Sequence, residues 1–578
     1  MVQLNWIWKD KVINHHHDVP YKVLNKSYTF GDENSWNKII HGDNLEALKS
    51  LLPQYEGKID IIYIDPPYNT WEEKWVYNDN VNDPKIKKWL WEVVWKEWDD
   101  LSRHDKRLCM MYPRLKLLSR LLSDIWTIFI SIDDNEQSNL KSLCDEIFWV
   151  NNFEWHIHWR RRSNQPNDKT KMIWLVAEHI LVYSKNAFKH KKFWIGKIPL
   201  TGNYSNPDND PKWNWISNPW KAAEWRWWTE YSITTPAWKV YTETWYWTKN
   251  TFEKYLNEWR VLWTKKWEWI PRIKKYQFES EEEWQCAVNR WTWENFWSNQ
   301  WATDELKWIF SGTLPFNNPK PTTLIEKIIW LWSIKKDAIV LDSFAWSWTT
   351  AHAVLNLNKQ DWGNRKFILI ELWDYAEEIT AERIKRVINW YEYEAKEVEE
   401  IACESLTLSK IKNGAELIEE FETIKETNKE KYDKVSIKVE EKSLKVIWEK
   451  NIKWFKEGIW WWFDFYELWE PLFIDNEYLN EEVWIDVLRD YIRYTETKSE
   501  IQNVESENEH YLGTQFNTDY YFYYKKDGVT ILDLNFVSTI PKKGEQMIIY
   551  ADKCTLSKKF MQEHWIIFKK IPRDITRF

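Results

Sequence analysis

Lys58-Ile-Asp-Ile-Ile-Tyr-Ile64 is a nearly continuous apolar, β-branched run that stops at Asp65-Pro66-Pro67-Tyr68. A buried parallel strand ends at a loop in this way. Upstream, Ile39-Ile-His-Gly-Asp43 reads as a short strand entering a helix whose Leu45, Leu48 and Leu52 recur at helical spacing. Downstream, Pro113 is expected to open a helix with Leu115, Leu118 and Leu122 on one stripe, followed by a strand over Thr127–Ile132. This βαβ order over residues 26–150 predicts a doubly wound parallel sheet with its sites at the carboxyl ends of the strands.

Between 151 and 312 the order gives way to short strands, turns and polar aromatic segments, opening with Arg160-Arg161-Arg162, so this stretch is not expected to continue the sheet. From 313 to 395 alternation returns, with a helix near Thr323–Leu331, a strand Ala338–Leu341, a helix from Thr349 and a strand Lys366–Ile370. The simplest account is one α/β domain, 26–150 and 313–395, interrupted by an inserted module and preceded by an arm, 1–25. Residues 396–454 are rich in Glu and Lys and are expected to be exposed helices and a linker. Residues 455–578 are aromatic and strand-like, with a hairpin expected at Lys526-Asp527-Gly528, and read as a separate α+β domain.

With 578 residues the chain suits three or four domains. Its mean hydropathy of -0.67 and the lack of any long apolar run exclude a membrane span, and Met1–His17 does not resemble a secretory signal. Cys109, Cys144, Cys286, Cys403 and Cys554 stand far apart without a C-x-x-C pair, which suits a reducing cytoplasm and argues against a zinc cluster. The net charge of -9 creates no general attraction for nucleic acid, so any DNA-binding basic groups must gather on one face.

Two segments carry candidate chemistry. In Asp65-Pro66-Pro67-Tyr68 the prolines fix φ and remove donors, so the loop presents carbonyls and one carboxylate, a set that accepts hydrogen bonds from an amino group. Tyr68 adds a flat face on which a base can stack. In Val340-Leu-Asp-Ser-Phe-Ala-Trp-Ser-Trp-Thr-Thr350 a strand runs through a tight turn into a helix, a shape that cradles a cofactor against backbone and helix N–H groups. That turn wants Gly-Ser-Gly where the chain has Trp346-Ser347-Trp348, and an indole there fills space that a missing Cβ leaves open.

With Trp346 and Trp348 read as glycine, the segment resembles the F-x-G-x-G motif of S-adenosylmethionine-dependent DNA amino-methyltransferases. His41–Leu48, Asp65–Thr70 and Phe316-Asn-Asn-Pro-Lys-Pro321 resemble its companion motifs. The D-P-P-Y motif precedes the F-x-G-x-G motif, which resembles the circularly permuted beta class, above all the modification subunits of type III restriction-modification systems, and the similarity runs from Leu4 to Phe578. The resemblance implies a Rossmann-like methyltransferase fold, an inserted target-recognition domain and a C-terminal domain for dimerisation or subunit contact. It implies methylation of adenine N6 in duplex DNA, a homodimer, and a separate ATP-dependent helicase-nuclease subunit, since no P-loop motif occurs here.

The same resemblance implies roles. Asp65 and the Pro66 carbonyl would accept from the adenine amino group, with Pro67 holding the loop and Tyr68 stacking on the flipped base. Phe344, Ala345, Trp346, Ser347, Trp348, Thr349 and Thr350 would line the cofactor's methionine end, with Phe316, Lys320 and Pro321 nearby. Glu371 would take the ribose hydroxyls and Asp43 the adenine end. A sulfonium leaving group needs in-line positioning, so neither metal nor covalent intermediate is expected. Arg160, Arg161 and Arg162 are candidates for phosphate contact, and Glu178-His179 resembles an acid-histidine pair of the family for which a structural role is favoured. His15-His16-His17 lacks companion ligands. The alternatives are a cytosine-N4 or RNA amino-methyltransferase, or a non-catalytic recognition subunit, which the tryptophans as written would favour.

The composition bears on that last point. A chain of this length would carry roughly 40 glycines at average usage, yet this one has 12, and it has 49 tryptophans. Trp126, Trp362 and Trp460-Trp461-Trp462 join Trp346 and Trp348 at places that call for backbone freedom. The expectation is that most tryptophans are glycine in the living protein, encoded by UGA codons that specify glycine, whereas Trp75 and Trp89 match family tryptophans.

Overall fold

The computed structural model describes residues 4–31, 36–68, 100–162, 176–192, 197–199, 204–222, 229–263, 270–280, 284–292, 298–332, 335–405, 414–440, 443–459, 461–474, 478–497, 508–540, 545–572 and 574–575. Trp75, Trp89, Asn69, Thr70 and Trp460 lie outside them. By its internal contacts the chain forms two units, 1–193 with 289–578, and 194–288.

The larger unit is built on a ten-stranded mixed sheet. Its strands in chain order are β1 (Lys22–Phe30), β2 (Lys38–His41), β3 (Ile59–Ile64), β4 (Leu122–Ile132), β5 (Phe153–Arg160), β6 (Ala177–Ser184), β7 (Arg290–Trp291), β8 (Ile339–Asp342), β9 (Lys366–Glu371) and β10 (Phe463–Pro471). Their spatial order is β1-β10-β2-β9-β8-β3-β4-β6-β5-β7. From β10 through β4 every neighbouring pair is parallel. All six side chains of β3 are buried, as a strand covered on both faces requires. Helices α1 (Asn44–Tyr55), α2 (Asp100–Leu121), α3 (Thr322–Trp332) and α4 (Thr349–Asp361) connect the strands, and Leu48, Leu118, Ile328 and Val354 are fully buried. Each such side chain contributes on the order of 1.5–3 kcal/mol.

The Rossmann-like α/β core therefore follows the expected order, with β8 and β9 within a residue or so of their sequence positions. Several expectations need correction. The sheet does not stop near 151. Glu178-His-Ile-Leu-Val-Tyr-Ser184 is an apolar run that pairs antiparallel with β4 and with β5, so the separate compact unit is 194–288, narrower than 151–312. Pro113 lies within α2 and does not open it.

The charged stretch 396–454 is largely strand. Trp390–Ser405, Ser443–Glu457 and Lys434–Glu440 form an antiparallel sheet, on which helix Gly414–Asn428 packs Phe421 against Leu444 and Val446. The period-two alternation Leu444, Val446, Trp448 carries this strand signal beneath the charge. The C-terminal region is not wholly separate either, because β10 lies between β1 and β2. For the same reason the N-terminal arm, whose end is β1, is tied to the sheet edge.

Beyond β10, Tyr511–Gln515, Thr518–Phe522, Gln546–Ala551 and Ile566–Lys570 form a four-stranded sheet around Tyr521, Met547 and Ile549, which is the expected α+β character. Its hairpin turns at Phe516-Asn517, both residues having positive φ, as a two-residue primed turn requires. It does not turn at Asp527-Gly528, where Ile531–Leu532 instead pairs in parallel with Lys553–Cys554. In the smaller unit, Trp215–Pro219, Val261–Leu262 and Arg272–Tyr276 form one antiparallel sheet. Trp220, Ile233, Trp245, Phe252 and Ile273 make its core. No helix among the described residues is long and apolar enough to cross a membrane.

Candidate active site

Parallel pairing brings the ends of β3 and β8 side by side, with Ile61 and Ile62 opposite Val340 and Leu341. The loops that follow them, Asp65–Tyr68 and Ser343–Trp348, consequently meet at the carboxyl edge of the sheet. The Trp346 indole Nε1 donates to the Asp65 carbonyl at 2.7 Å.

Around Asp65 lies a compact polar cluster. The Tyr68 hydroxyl donates to Asp65 Oδ1 at 2.6 Å, and Lys320 Nζ lies 2.9 Å from Asp65 Oδ2, 2.6 Å from the Tyr68 hydroxyl and 3.2 Å from Glu178 Oε2. Arg161 Nη1 closes the set at 2.6 Å from Glu178 Oε1. Burial opposes charge on Lys320, but the carboxylates of Asp65 and Glu178 outweigh it and hold the ammonium above its usual pKa. Burial likewise opposes the Glu178 carboxylate, and Lys320 and Arg161 hold its pKa below the usual value. The two cations and the Glu178 carboxylate thus favour one another's charged forms beside one phenol, whose own ionisation burial and then Asp65 suppress.

Lys320 thus joins the D-P-P-Y cluster itself, and Glu178 belongs to it rather than to the framework. Arg161 spends a guanidinium nitrogen on Glu178, whereas Arg160 Nε donates to the Arg162 carbonyl at 3.1 Å. The structural role favoured for Glu178 from the sequence is therefore corrected: β6 continues the sheet, and its Glu178 pairs with Lys320 and Arg161 beside Tyr68. Once β6 pairs with β4, alternation along it aims Glu178 at Tyr68.

The second half of the site is a set of buried carboxylates holding backbone. Asp342 accepts from Phe344 N at 3.1 Å and from the Thr350 hydroxyl at 2.5 Å, and burial raises its pKa to about 7. Glu371, at the end of β9, accepts from the N–H groups of Trp346 at 2.7 Å and Leu372 at 3.1 Å. Burial raises its pKa to about 8. Asp43 caps α1 through Leu45 N at 2.7 Å. Two residues that the sequence reading missed brace the loop: Asn44 Nδ2 donates to the Ser343 carbonyl at 2.8 Å, and Arg383 Nη1 to the Ser347 carbonyl at 2.7 Å. Phe344, Ala345, Pro321, Thr349 and Thr350 are buried in this wall, with the Thr349 hydroxyl on the Lys320 carbonyl. The Phe316 ring lies 6.0 Å from that of Trp346.

Trp346 and Trp348 have φ of 46° and 57°, in the left-handed region that favours glycine. They are not isolated. Trp8, Trp149, Trp238, Trp259, Trp362 and Trp565 also have positive φ, so tryptophan supplies eight of the thirteen non-glycine residues in that region among those described. The indole N–H groups of Trp126, Trp159, Trp332, Trp348 and Trp373 are buried without a hydrogen-bond partner. Trp126 is not in a turn but inside β4, between Leu122 and Thr127, where the pairing with β3 is irregular.

With an α/β sheet, a D-P-P-Y loop beside a strand-turn-helix cradle, and a buried acid at the end of the next strand, the site is that of a nucleic acid amino-methylase class. The chain belongs to the DNA methylase family, whose model matches residues 59–383. It is 35% identical over 388 residues to the type III restriction-modification enzyme StyLTI Mod subunit of Salmonella typhimurium, covering 62% of this chain and 57% of that one. To the EcoP15I Mod subunit of Escherichia coli it is 29% identical over 427 residues, 64% of each chain. To the type II methyltransferase M.KpnI of Klebsiella pneumoniae it is 31% identical over 360 residues, 58% of this chain and 80% of that one. The chain thus spans less than two thirds of the length of either Mod subunit.

Proposed function

We propose that this protein transfers a methyl group from S-adenosylmethionine to the N6 amino group of adenine in duplex DNA, as the modification subunit of a type III restriction-modification system. The observation that carries this reading is the meeting of the Asp65–Tyr68 loop with the Ser343–Trp348 loop at adjacent strand ends. An acceptor for an exocyclic amino group stands there against a cofactor cradle. A separate restriction subunit and the cytoplasm belong to this reading, and so does a homodimer built through the C-terminal region.

The residues as written do not accept the cofactor. The Trp346 side chain crosses from the cradle to the Asp65 carbonyl, and the buried Trp348 side chain occupies the turn. Glycine at both positions reverses this. It removes both side chains from the turn and relieves two left-handed residues, in a loop whose Ser343 hydroxyl is buried and unpartnered. We therefore read Trp346 and Trp348 as glycine in the protein that the cell makes, together with the other positive-φ tryptophans.

In that protein the buried Asp342 and Glu371 hold the loop, and residues 343–350 hold the cofactor, which supplies an electrophilic methyl group. Asp65 and the Pro66 carbonyl accept the two amino N–H bonds and aim the nitrogen lone pair. Tyr68 stacks on a base that must leave the duplex to reach the loop. Lys320 and Glu178 fix the orientation of Asp65 and Tyr68. Residues 194–288, with Arg160–Arg162, are assigned to target recognition and backbone contact. The test is methyl transfer to unmethylated duplex DNA by the chain translated with glycine at UGA, next to its Asp65→Ala variant. Transfer to adenine by the first and none by the second supports the reading, and transfer to cytosine N4 would replace the adenine assignment.

A further inference from the structure

On the face of β6 opposite Glu178, three histidines converge. His156 and His158 are two residues apart on β5 and so share a face, and His179 of β6 lies directly across from His158 in the antiparallel register. Their ring centroids are 4.3 Å apart for His156 and His158, 4.7 Å for His156 and His179, and 5.3 Å for His158 and His179. One ring nitrogen from each lies within 4.8 Å of those of the other two. A tetrahedral zinc ion with bonds of 2.0–2.1 Å needs about 3.3 Å between ligand nitrogens, so closure asks for side-chain shifts of about an ångström.

A second observation orients the ligands. His179 Nδ1 faces His156 Nε2 at 2.8 Å, while its other nitrogen, Nε2, meets Asp134 Oδ1 at 2.8 Å. A carboxylate on the far nitrogen holds the proton there and leaves Nδ1 with its lone pair toward the cluster, the arrangement that fixes the tautomer of metal-bound histidine. Both strands are sheet-bound, so the ligands need no loop ordering.

We infer that His156, His158 and His179 form a site for a transition-metal ion of the zinc class, with Asp134 as the orienting carboxylate and water as fourth ligand. The site lies one residue from Glu178 and three from Arg161. A bound ion would tie β5 to β6 at the edge that carries the Asp65 cluster, on the face away from that cluster. Its role is to stiffen that edge. It takes no part in methyl transfer.

The full chain, stripped with chelator, is titrated with Zn2+ by calorimetry, with Mg2+ as control and the His15→Ala/His17→Ala variant as comparator. One zinc per chain is expected, retained in the comparator and absent with Mg2+. His156→Ala and His179→Ala should each weaken binding at least 100-fold, and Asp134→Asn by 10–100-fold. In case a variant fails to fold, Co2+ is added to the unaltered chain, where strong visible absorption marks a four-coordinate site and weak absorption a hydrated one. Absence of stoichiometric zinc, zinc lost in the His15/His17 comparator, undiminished binding by His156→Ala, or a hydrated cobalt spectrum would each overturn the assignment.

Discussion

Trp362→Gly isolates backbone strain from every other effect of tryptophan. Trp362 caps the C-terminus of α4 with φ 55° and ψ 37°, and the residue is 93% exposed, so the substitution removes almost no packing. A left-handed residue with a Cβ costs about 1–2 kcal/mol. Glycine relieves this and gives back about 0.5–1 kcal/mol through its greater freedom in the unfolded chain. The net expectation is a gain of roughly 0.5–1 kcal/mol. Trp238 (φ 61°, 88% exposed) and Trp259 (φ 60°, 86% exposed) offer the same test in the other unit. Trp213, 55% exposed and absent from the positive-φ set, is the control and should gain nothing. Urea titration followed by circular dichroism reads all four. If Trp362→Gly, Trp238→Gly and Trp259→Gly destabilise, or if Trp213→Gly stabilises equally, left-handed strain is not what marks these positions.

Other outcomes follow from the site. Asp65→Ala should abolish methyl transfer while calorimetric cofactor affinity stays within a few-fold, because Asp65 faces the amino group. Tyr68→Ala should weaken capture of a flipped base by about 1–3 kcal/mol, read by 2-aminopurine fluorescence at the target position. Lys320→Met leaves Asp65 and Glu178 facing each other without their shared cation and should cost about 3–5 kcal/mol of stability by denaturant titration. Asp342, raised to about 7 from 3.8, is protonated in the folded chain and ionised in the unfolded chain between those values. Its contribution is therefore fully present below about pH 4 and is lost as pH rises through 7. The stability difference between the unaltered chain and Asp342→Asn should fall across that window and level off above it. Replacing 194–288 with the corresponding segment of a relative should change the methylated sequence and leave cofactor binding intact.

The parallel core was legible because β3, β8 and β9 are buried on both faces and read as unbroken apolar runs bounded by turns. The charged stretch 396–454 misled because Glu and Lys on the wet face of Ser443–Glu457 mask the alternation of Leu444, Val446 and Trp448. The edge of the inserted module was misplaced because β5 and β6 continue the sheet antiparallel, and local pattern does not report which strand a run will pair with. Within the site, the D-P-P-Y loop and the cradle were legible as motifs. The convergence of Lys320 and Glu178 on Asp65 was not, since 255 residues separate Asp65 from Lys320 and only the sheet order joins them. Left-handed positions that favour glycine were legible from turn chemistry alone at Trp346, Trp348 and Trp362. At Trp8, Trp149, Trp238, Trp259 and Trp565 they emerged only from backbone angles.

The central claim is tested most directly by mapping modified bases across the genome of a methylation-free host that expresses the gene with UGA read as glycine. The account predicts N6-methyladenine at one short recurring sequence, absent when Asp65 is replaced by alanine or when Trp346 and Trp348 are left as tryptophan. Adenine methylation undiminished by Asp65→Ala, or supported by the chain with tryptophan at 346 and 348, would contradict it.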